Sequence, residues 1–287
     1  MHFARTVEQE ELATTVRSLL AKRADSAAVR AAMATDTGYD AELWTALVEQ
    51  IGVAALPIPE EFDGVGASLV ETAIVLEELG YSLAPAPLLA SALNVVAQLL
   101  GDRDGTRLDS LAAGEVPPFP LGRAVLEPTT RVASMDPTLR LAPGDGAELT
   151  EEMAAIASAL VSALQVGVMQ RALDMTVAYS KERVQFGREI GSFQALKHRM
   201  ADMLVLVEAA RSASWAATYA AAAYVAEPDE DRRATLVREA AVARRWCNES
   251  SQKVASETIQ LHGGIAITWE HDAHLVFKSV HALAHLI

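Results

Sequence analysis

The residues with the clearest chemical potential form a short run of charged, amide and aromatic side chains near position 185. Arg183, Gln185 and Phe186 precede Gly187, and Phe193 follows a few residues later. The pattern predicts a helix end, a tight Phe-Gly turn and the start of a second helix, with a guanidinium and an aromatic ring at the corner. A guanidinium is a planar fork of N–H donors that suits paired phosphate oxygens. The simpler alternative is a surface cation at a helix end beside two core aromatics.

A second feature is the glycine pair Gly263-Gly264, which follows Gln260, Leu261 and His262. Glycine commonly ends a helix because it adopts left-handed backbone conformations freely. Because glycine has no Cβ, it also allows another molecule to approach the backbone closely. The pattern alone leaves both interpretations open.

Histidines and acids near the end of the chain suggest a metal site, because their spacing could place several ligands on one helix face. No cysteine or distant acid completes a ligand set, so we predict no metal there. The residues concerned are His271, His274, His281 and His285, with Glu270 and Asp272. The single cysteine, Cys247, is expected to be a buried thiol and fits a reducing compartment.

Composition narrows the class of protein. Hydrophobic residues make up 51% of the 287 positions, much of that alanine, and aromatic residues only 5%, which favours packed helices over sheets. The net charge of −14 argues against partners such as nucleic acid or an anionic membrane. No run is expected to be long and apolar enough to span a bilayer. We therefore expect a cytoplasmic protein.

The elements that must position these residues are mainly helical. We predict an N-terminal helical domain (1–102), a strongly reduced middle β segment with two or three short strands (103–147) and a C-terminal four-helix bundle (148–287). The bundle helices are predicted near 150–181, 192–226, 230–262 and 268 to the end. Thr150 is expected to cap the first, and Gly263-Gly264 to end the third. In the N-terminal domain, apolar positions at helical spacing predict helix over 7–34, and Ser68 is expected to cap a later helix with Glu71 in its first turn.

Three segments, in this order along the chain, resemble the acyl-CoA dehydrogenase family. The first runs from Leu43-Trp44 through the Pro-, Glu- and Gly-rich stretch 56–66 to EELG at 77–80. The second starts at VGVMQRAL (166–173) and continues through the Phe-Gly corner to Met203. The third is TIQLHGGI (258–265) followed by TWEHDAHL (268–275). Each segment is moderate evidence, and together they are strong.

The resemblance implies FAD as cofactor, with the corner of one subunit gripping the flavin of its neighbour. It implies that Arg183 meets the diphosphate, that Gln185 and Phe186 lie beside the diphosphate and adenosine, and that Phe193 packs next to the cofactor. It also implies that the segment containing Gln260, Leu261, Gly263 and Gly264 approaches the adenosine diphosphate through its backbone. These eight residues are the predicted cofactor-binding set.

Other parts of the family's active site are missing from this sequence. The family's catalytic carboxylate occupies one of two places, which align here with Ala157 and with about Ile287, and neither side chain can accept a proton. The middle domain that holds the flavin ring is reduced, with 127–129 and 135–140 resembling its final strands. No Trp occurs between Trp44 and Trp215. We therefore predict no catalytic residue in this chain.

The favoured interpretation is the non-catalytic half of a heteromeric, FAD-dependent acyl-CoA dehydrogenase, an oxidoreductase active only in the complex. The expected partners are a catalytic subunit in a heterotetramer, an acyl-CoA substrate and an electron-accepting flavoprotein. The Trp-Glu-His-Asp-x-His version of the third segment resembles members of bacterial steroid side-chain degradation, some of which are built from two different chains. Two alternatives remain: a helical scaffold that lost the cofactor, and a conventional homomeric dehydrogenase with further residues.

Overall fold

The N-terminal part consists of helices whose starts are set by polar caps. A computed structural model describes residues 5–101, 107–122, 124–127, 134–146 and 148–286. The periodic run 7–34 divides into two helices, because the Asp25 side chain accepts a hydrogen bond from the Ala28 N–H and begins a new one. Ser68 caps the fourth helix in a capping box with Glu71, as predicted. The helices are α1 (Val7–Arg23), α2 (Ser26–Met33), α3 (Ala41–Ala46), α4 (Leu69–Ser82), α5 (Leu88–Leu100) and α6 (Leu108–Ala112).

A small antiparallel sheet forms the middle segment, as the sequence predicts. Its strands, in order, are β1 (Phe119–Leu121), β2 (Ala124–Leu126) and β3 (Leu141–Pro143). The prediction of a strand over 135–140 is wrong, because Asp136 accepts hydrogen bonds from the backbone and hydroxyl of Thr138 and folds this stretch into a turn. Residues 128–129, and the predicted domain boundaries at 102–103 and 147, lie outside the described residues.

The C-terminal part is the expected four-helix bundle, of which three helices are long. They are α7 (Glu151–Glu182), α8 (Gln194–Ala226), α9 (Glu230–His262) and α10 (Ala273–Ala284). Thr150 caps α7, and α9 ends at His262, with Gly263 as its C-cap. The fourth helix begins later than the predicted Thr268, because residues 263–267 form a 3-10 turn and Asp272 bonds Ser26 and Arg30 on α2.

Two glycines bring the N-terminal helices against the bundle. A Cβ on Gly167 of α7 would lie 1.9 Å from the Glu77 carbonyl oxygen of α4, and one on Gly80 would lie 2.3 Å from the Leu164 carbonyl oxygen. The backbones of α4 and α7 therefore cross too closely for any side chain at these points. One apolar core runs continuously from α1 and α4 through α7 into α8, α9 and α10.

Helix α7 is the central helix of that core, and it corrects one expectation. By length and composition it could span a bilayer, since an 18-residue window has a mean hydropathy of 1.6, whereas the sequence analysis expected no such run. In the structure 78% of that window is buried inside the protein. The apolar character of α7 is therefore accounted for by packing against neighbouring helices.

Candidate functional site

The predicted corner is a two-residue β-hairpin that projects between α7 and α8. Strands β4 (Val184–Gln185) and β5 (Arg188–Glu189) pair antiparallel, and the Ile190 N–H donates to the Arg183 carbonyl at 2.8 Å. The two turn residues, Phe186 and Gly187, both have positive φ values, of 53° and 77°. This is the backbone of a type I′ turn, whose twist matches that of the paired strands. The predicted Phe-Gly turn is confirmed.

Phe186 is an unusual residue for the tip of this turn. A left-handed backbone costs an aromatic residue about 1–2 kcal/mol, and the Phe186 side chain is 93% exposed in the isolated chain. Its ring meets the half-buried Phe193 ring edge to face, with centroids 6.2 Å apart. The Arg188 guanidinium lies over the other ring of this pair, 4.0 Å from the Phe193 centroid. The hairpin thus displays the aromatic ring of Phe186, which no other described residue covers.

Arg188 is a residue that sequence reasoning missed. In a hairpin with this register, residues directly opposite share a face and neighbours along a strand alternate. Gln185 and Arg188 therefore lie on one face, while Val184 and Glu189 lie on the other. Arg183 precedes β4 with an extended backbone and accepts the next ladder bond from Ile190, so alternation places its side chain on the face of Gln185 and Arg188. The signal was available in the sequence, because placing Phe-Gly at the centre of a two-residue turn fixes this alternation.

Neither guanidinium on this face has an acidic partner within the described part of the chain. Arg199, Arg211 and Arg233, on the nearby bundle helices, each reach a glutamate. Arg183 and Arg188 are both exposed, in a protein of net charge −14. Two guanidiniums on one face, without an acidic partner among the described residues, favour an anion as the missing partner.

The glycine turn after α9 presents open backbone. Gly263 has φ 66° and ψ −145°, a combination available essentially to glycine alone. A Cβ added to Gly263 or Gly264 would meet nothing within 4 Å, so both positions face free space. Gln260 is exposed, whereas the Leu261 side chain is buried, so only the backbone of Leu261 is available to a ligand.

The hairpin and the glycine turn lie at the same end of the bundle. Helices α7 and α9 run parallel, since α8 is antiparallel to both, and their last turns touch. The rings of Tyr179 on α7 and His262 on α9 stack with centroids 4.6 Å apart. One turn earlier the Thr176 hydroxyl donates to the Thr258 hydroxyl at 3.2 Å. The structure therefore places the two segments that contain the eight predicted cofactor residues at one end of the bundle.

Two neighbouring histidines, His262 and His271, lie next to the glycine turn. His262 is buried; its Nδ1 lies 2.8 Å from the Thr258 carbonyl, and its Nε2 has no partner among the described residues. The His271 ring lies 4.6 Å from the His262 ring, centroid to centroid. Burial lowers the pKa of both histidines, and the proximity of His271 lowers that of His262 further. Both rings are therefore held neutral at neutral pH.

One carboxylate, that of Asp272, fixes the Trp-Glu-His-Asp loop in place. Asp272 accepts hydrogen bonds from Ser26 and Arg30, at 2.7 and 2.8 Å, and lies 3.8 Å from Arg171. Burial alone would raise its pKa, but the bonds from Ser26 and Arg30 outweigh burial and the pKa is lowered. No three His, Cys, Asp or Glu side chains converge as metal ligands within the ranges that the structure covers.

The first position aligned with a catalytic base is fully enclosed. Ala157 is buried on α7 with no exposed surface. The nearest acids on that helix, Glu151 and Glu152, both pair with Arg233 of α9, and the hydrogen bond from Arg233 lowers the pKa of Glu152. The second aligned position, Ile287, lies outside the described residues.

A cavity of about 820 Å³ lies elsewhere, between α1, α4, α7 and α8. Its charged walls are mutually paired: Glu77 accepts from Arg5 and Arg211, and Glu78 binds Arg17 through both oxygens. Burial, with repulsion from Arg5 and Arg17, lowers the pKa of Arg211 to about 10. None of the eight predicted cofactor residues lines this cavity.

Comparison with known proteins decides the family. Residues 6–106 match the model of the acyl-CoA dehydrogenase N-terminal domain, and residues 144–285 match that of the C-terminal domain. The chain belongs to the acyl-CoA dehydrogenase family. The acyl-CoA dehydrogenase IpdE2 of Mycobacterium tuberculosis is 45% identical over 314 residues, an alignment that covers 98% of this chain and 93% of IpdE2.

Solved structures show the same fold at lower identity. A variant of the Tcur3481–Tcur3483 steroid ACAD has a TM-score of 0.79 at 23% identity, covering 96% of this chain and 92% of that one. The ChsE4–ChsE5 complex of Mycobacterium tuberculosis has a TM-score of 0.76 at 23% identity, covering 99% and 94%. Members of the acyl-CoA dehydrogenase family bind FAD. The unpaired guanidiniums and the open glycine backbone are chemically suited to the diphosphate of that cofactor.

Proposed function

We propose that this chain is the non-catalytic subunit of a heteromeric, FAD-dependent acyl-CoA dehydrogenase, in which it completes the FAD site of a partner subunit. The observation that carries the proposal is the hairpin. An aromatic residue, Phe186, is held almost fully exposed in a costly backbone conformation, on a hairpin whose two arginines have no acidic partner among the described residues. Strain and exposed apolar surface of this kind are typical of a binding site. A partner's dinucleotide would cover both the ring and the charges.

The absence of a base at Ala157 supports a non-catalytic role. Dehydrogenation of an acyl thioester needs a carboxylate to remove the α-proton, and FAD supplies the acceptor for the hydride. The buried methyl group of Ala157 cannot perform the first task. In this proposal the base, the wall around the flavin ring and the thioester site belong to the partner, and this chain positions the adenosine end of the cofactor.

The remaining parts of the proposal concern partners and substrate. The partner is a catalytic acyl-CoA dehydrogenase subunit in a heterotetramer; the similarity of fold to the ChsE4–ChsE5 complex supports this arrangement. The substrate is an acyl-CoA with a bulky, steroid-like acyl group, supported by similarity of fold to a steroid ACAD. An electron-accepting flavoprotein reoxidises the complex, and the location is cytoplasmic.

Co-expression with the partner subunit tests the proposal. The chain is purified alone and with the partner, and molar mass, visible flavin spectrum and acyl-CoA oxidation with an artificial electron acceptor are measured. We expect a colourless chain alone and a yellow, active heterotetramer, with steroid side-chain thioesters oxidised faster than hexanoyl-CoA. A chain that is yellow and active by itself refutes the proposal in favour of a conventional homomeric dehydrogenase.

A charge-removing variant separates the proposal from a scaffold role. Arg183→Ala should release FAD from the complex, while Arg23→Ala, at an exposed arginine ending α1, serves as the matched control. If both variants retain FAD as tightly as the native complex, the chain is a scaffold that does not contribute to the cofactor site.

A further inference from the structure

We infer that Arg188 is a second ligand of the FAD diphosphate, acting with Arg183 from the same face of the hairpin. This inference rests on the proposed function, and it assigns a role to a residue that the family resemblance did not supply. Its basis is the register of β4 and β5, which pairs Gln185 with Arg188, together with the hydrogen bond from the Ile190 N–H to the Arg183 carbonyl, which continues that ladder by one pair. Because side chains alternate along an extended strand, Arg183 falls on the same face as Gln185 and Arg188.

The stacking of Arg188 on an aromatic ring orients its guanidinium and leaves its N–H donors free to bind an anion. Its guanidinium lies over the Phe193 ring at 4.0 Å from the centroid. A guanidinium stacked on an aromatic ring uses its face for that contact, so the N–H donors at its edge remain free. The ring also removes much of the rotational freedom of a long side chain, which lowers the entropy lost when a phosphate is bound.

Alternative partners for Arg188 are lacking on this hairpin. The acid next to it, Glu189, lies on the opposite face of the ribbon, because neighbours along a strand alternate. Among the residues that the structure describes, no carboxylate lies within salt-bridge distance of Arg188, whereas Arg199 at the start of α8 pairs with Glu257 at 2.5 Å. The cation therefore remains available for a ligand from outside the chain.

The groups on this face of the hairpin indicate what kind of ligand would bind there. Two guanidiniums and one amide on a single face offer donors to adjacent phosphate groups, and the exposed ring of Phe186 beside them offers a stacking surface for a planar base. A dinucleotide diphosphate presents both features together. Arg183 and Arg188 would share its two phosphates, with Phe193 holding Arg188 in place.

The test measures FAD dissociation from the native complex carrying Arg188→Gln, Arg188→Lys, Arg183→Gln or the control Arg23→Gln. Flavin fluorescence on dilution gives Kd, at several KCl concentrations. Loss of one charge-assisted hydrogen bond should raise Kd roughly 10- to 100-fold for Arg188→Gln. Arg188→Lys should recover part of the loss, and Arg23→Gln should show none. Each lost phosphate contact should also make Kd less dependent on salt.

The outcomes distinguish this inference from the proposed function. If Arg183→Gln weakens FAD binding and Arg188→Gln does not, only the role of Arg188 is refuted. If Arg188→Gln weakens binding but leaves the salt dependence unchanged, Arg188 merely orders Phe193, and the inference is again refuted. If the complex holds FAD and neither substitution affects it, the proposed function fails as well.

Discussion

Substituting Gly264 by alanine separates ligand binding from folding more cleanly than any other single change in the candidate site. An added Cβ at Gly264 meets no atom within 4 Å, and the backbone there is not in the left-handed region. The folded chain can therefore accommodate alanine without strain. Because alanine reduces the freedom of the unfolded chain, the free energy of unfolding should stay unchanged or rise by up to about 1 kcal/mol.

The complex should respond differently, because the methyl group would occupy the space through which the dinucleotide reaches the backbone. If a backbone hydrogen bond to a phosphate is lost, the cost is about 1.5–3 kcal/mol, which corresponds to a Kd for FAD raised roughly 10- to 100-fold. Gly263→Ala is a poorer probe, since its φ of 66° and ψ of −145° would strain alanine by about 1–3 kcal/mol in the chain itself.

Two assays on one preparation decide the matter. Thermal unfolding of the isolated Gly264→Ala chain should match that of the native chain, while flavin fluorescence after dilution of the complex should report faster and more complete FAD release. A Gly264→Ala complex that holds FAD with the native Kd would refute close approach of the cofactor to this turn. A large drop in the melting temperature of the isolated chain would show instead that the turn is packed in solution.

Three further predictions follow from the geometry. Phe186→Asn should change the unfolding free energy of the isolated chain by no more than about 0.5 kcal/mol, because asparagine tolerates the φ of 53° better and this offsets the lost contact with Phe193. The same substitution should weaken FAD retention by the complex. A destabilised chain would contradict the exposed position of the ring. Burial lowers the pKa of His262 below the ordinary histidine value of 6.5, so the unfolded chain binds more protons between the two pKa values and stability should fall as pH drops below about 6.5. His262→Phe should flatten this dependence in urea titrations, and an unchanged slope would exclude the residue as its source. Gly167→Ala should lower the free energy of unfolding by about 2–4 kcal/mol and the melting temperature by several degrees, because the new Cβ meets the Glu77 carbonyl. A melting temperature equal to that of the native chain would contradict the close crossing of α4 and α7.

The sequence predicted those parts of the fold that depend on local signals. Thr150 and Ser68 act as helix caps, and Gly263 ends α9, because the hydrogen bonds and backbone conformations concerned lie within a few residues. The late start of α10 was missed because it depends on Asp272 reaching α2, a contact between residues far apart in sequence. Periodicity and caps contain no information about such contacts.

The candidate site shows the same division. The Phe-Gly turn and Arg183 could be selected from sequence, with a role for Arg183 supplied by resemblance to the family. The stacked rings of Tyr179 and His262 could not, because their contact exists only once the ends of α7 and α9 are packed together. Strands β4 and β5 were too short to leave a periodic signal, and with them the shared face of Arg188 was overlooked.

The proposed function requires this chain to extend a guanidinium across a subunit boundary to a cofactor held mainly by another protein. A cryo-electron microscopy map of the FAD-loaded complex with its partner would give the decisive distance, from the Arg183 guanidinium to the nearest FAD phosphate oxygen. We predict a hydrogen-bonded contact of about 3 Å, with Phe186 covered at the interface. An Arg183 that faces bulk solvent, with the diphosphate bound by the partner alone, would contradict it.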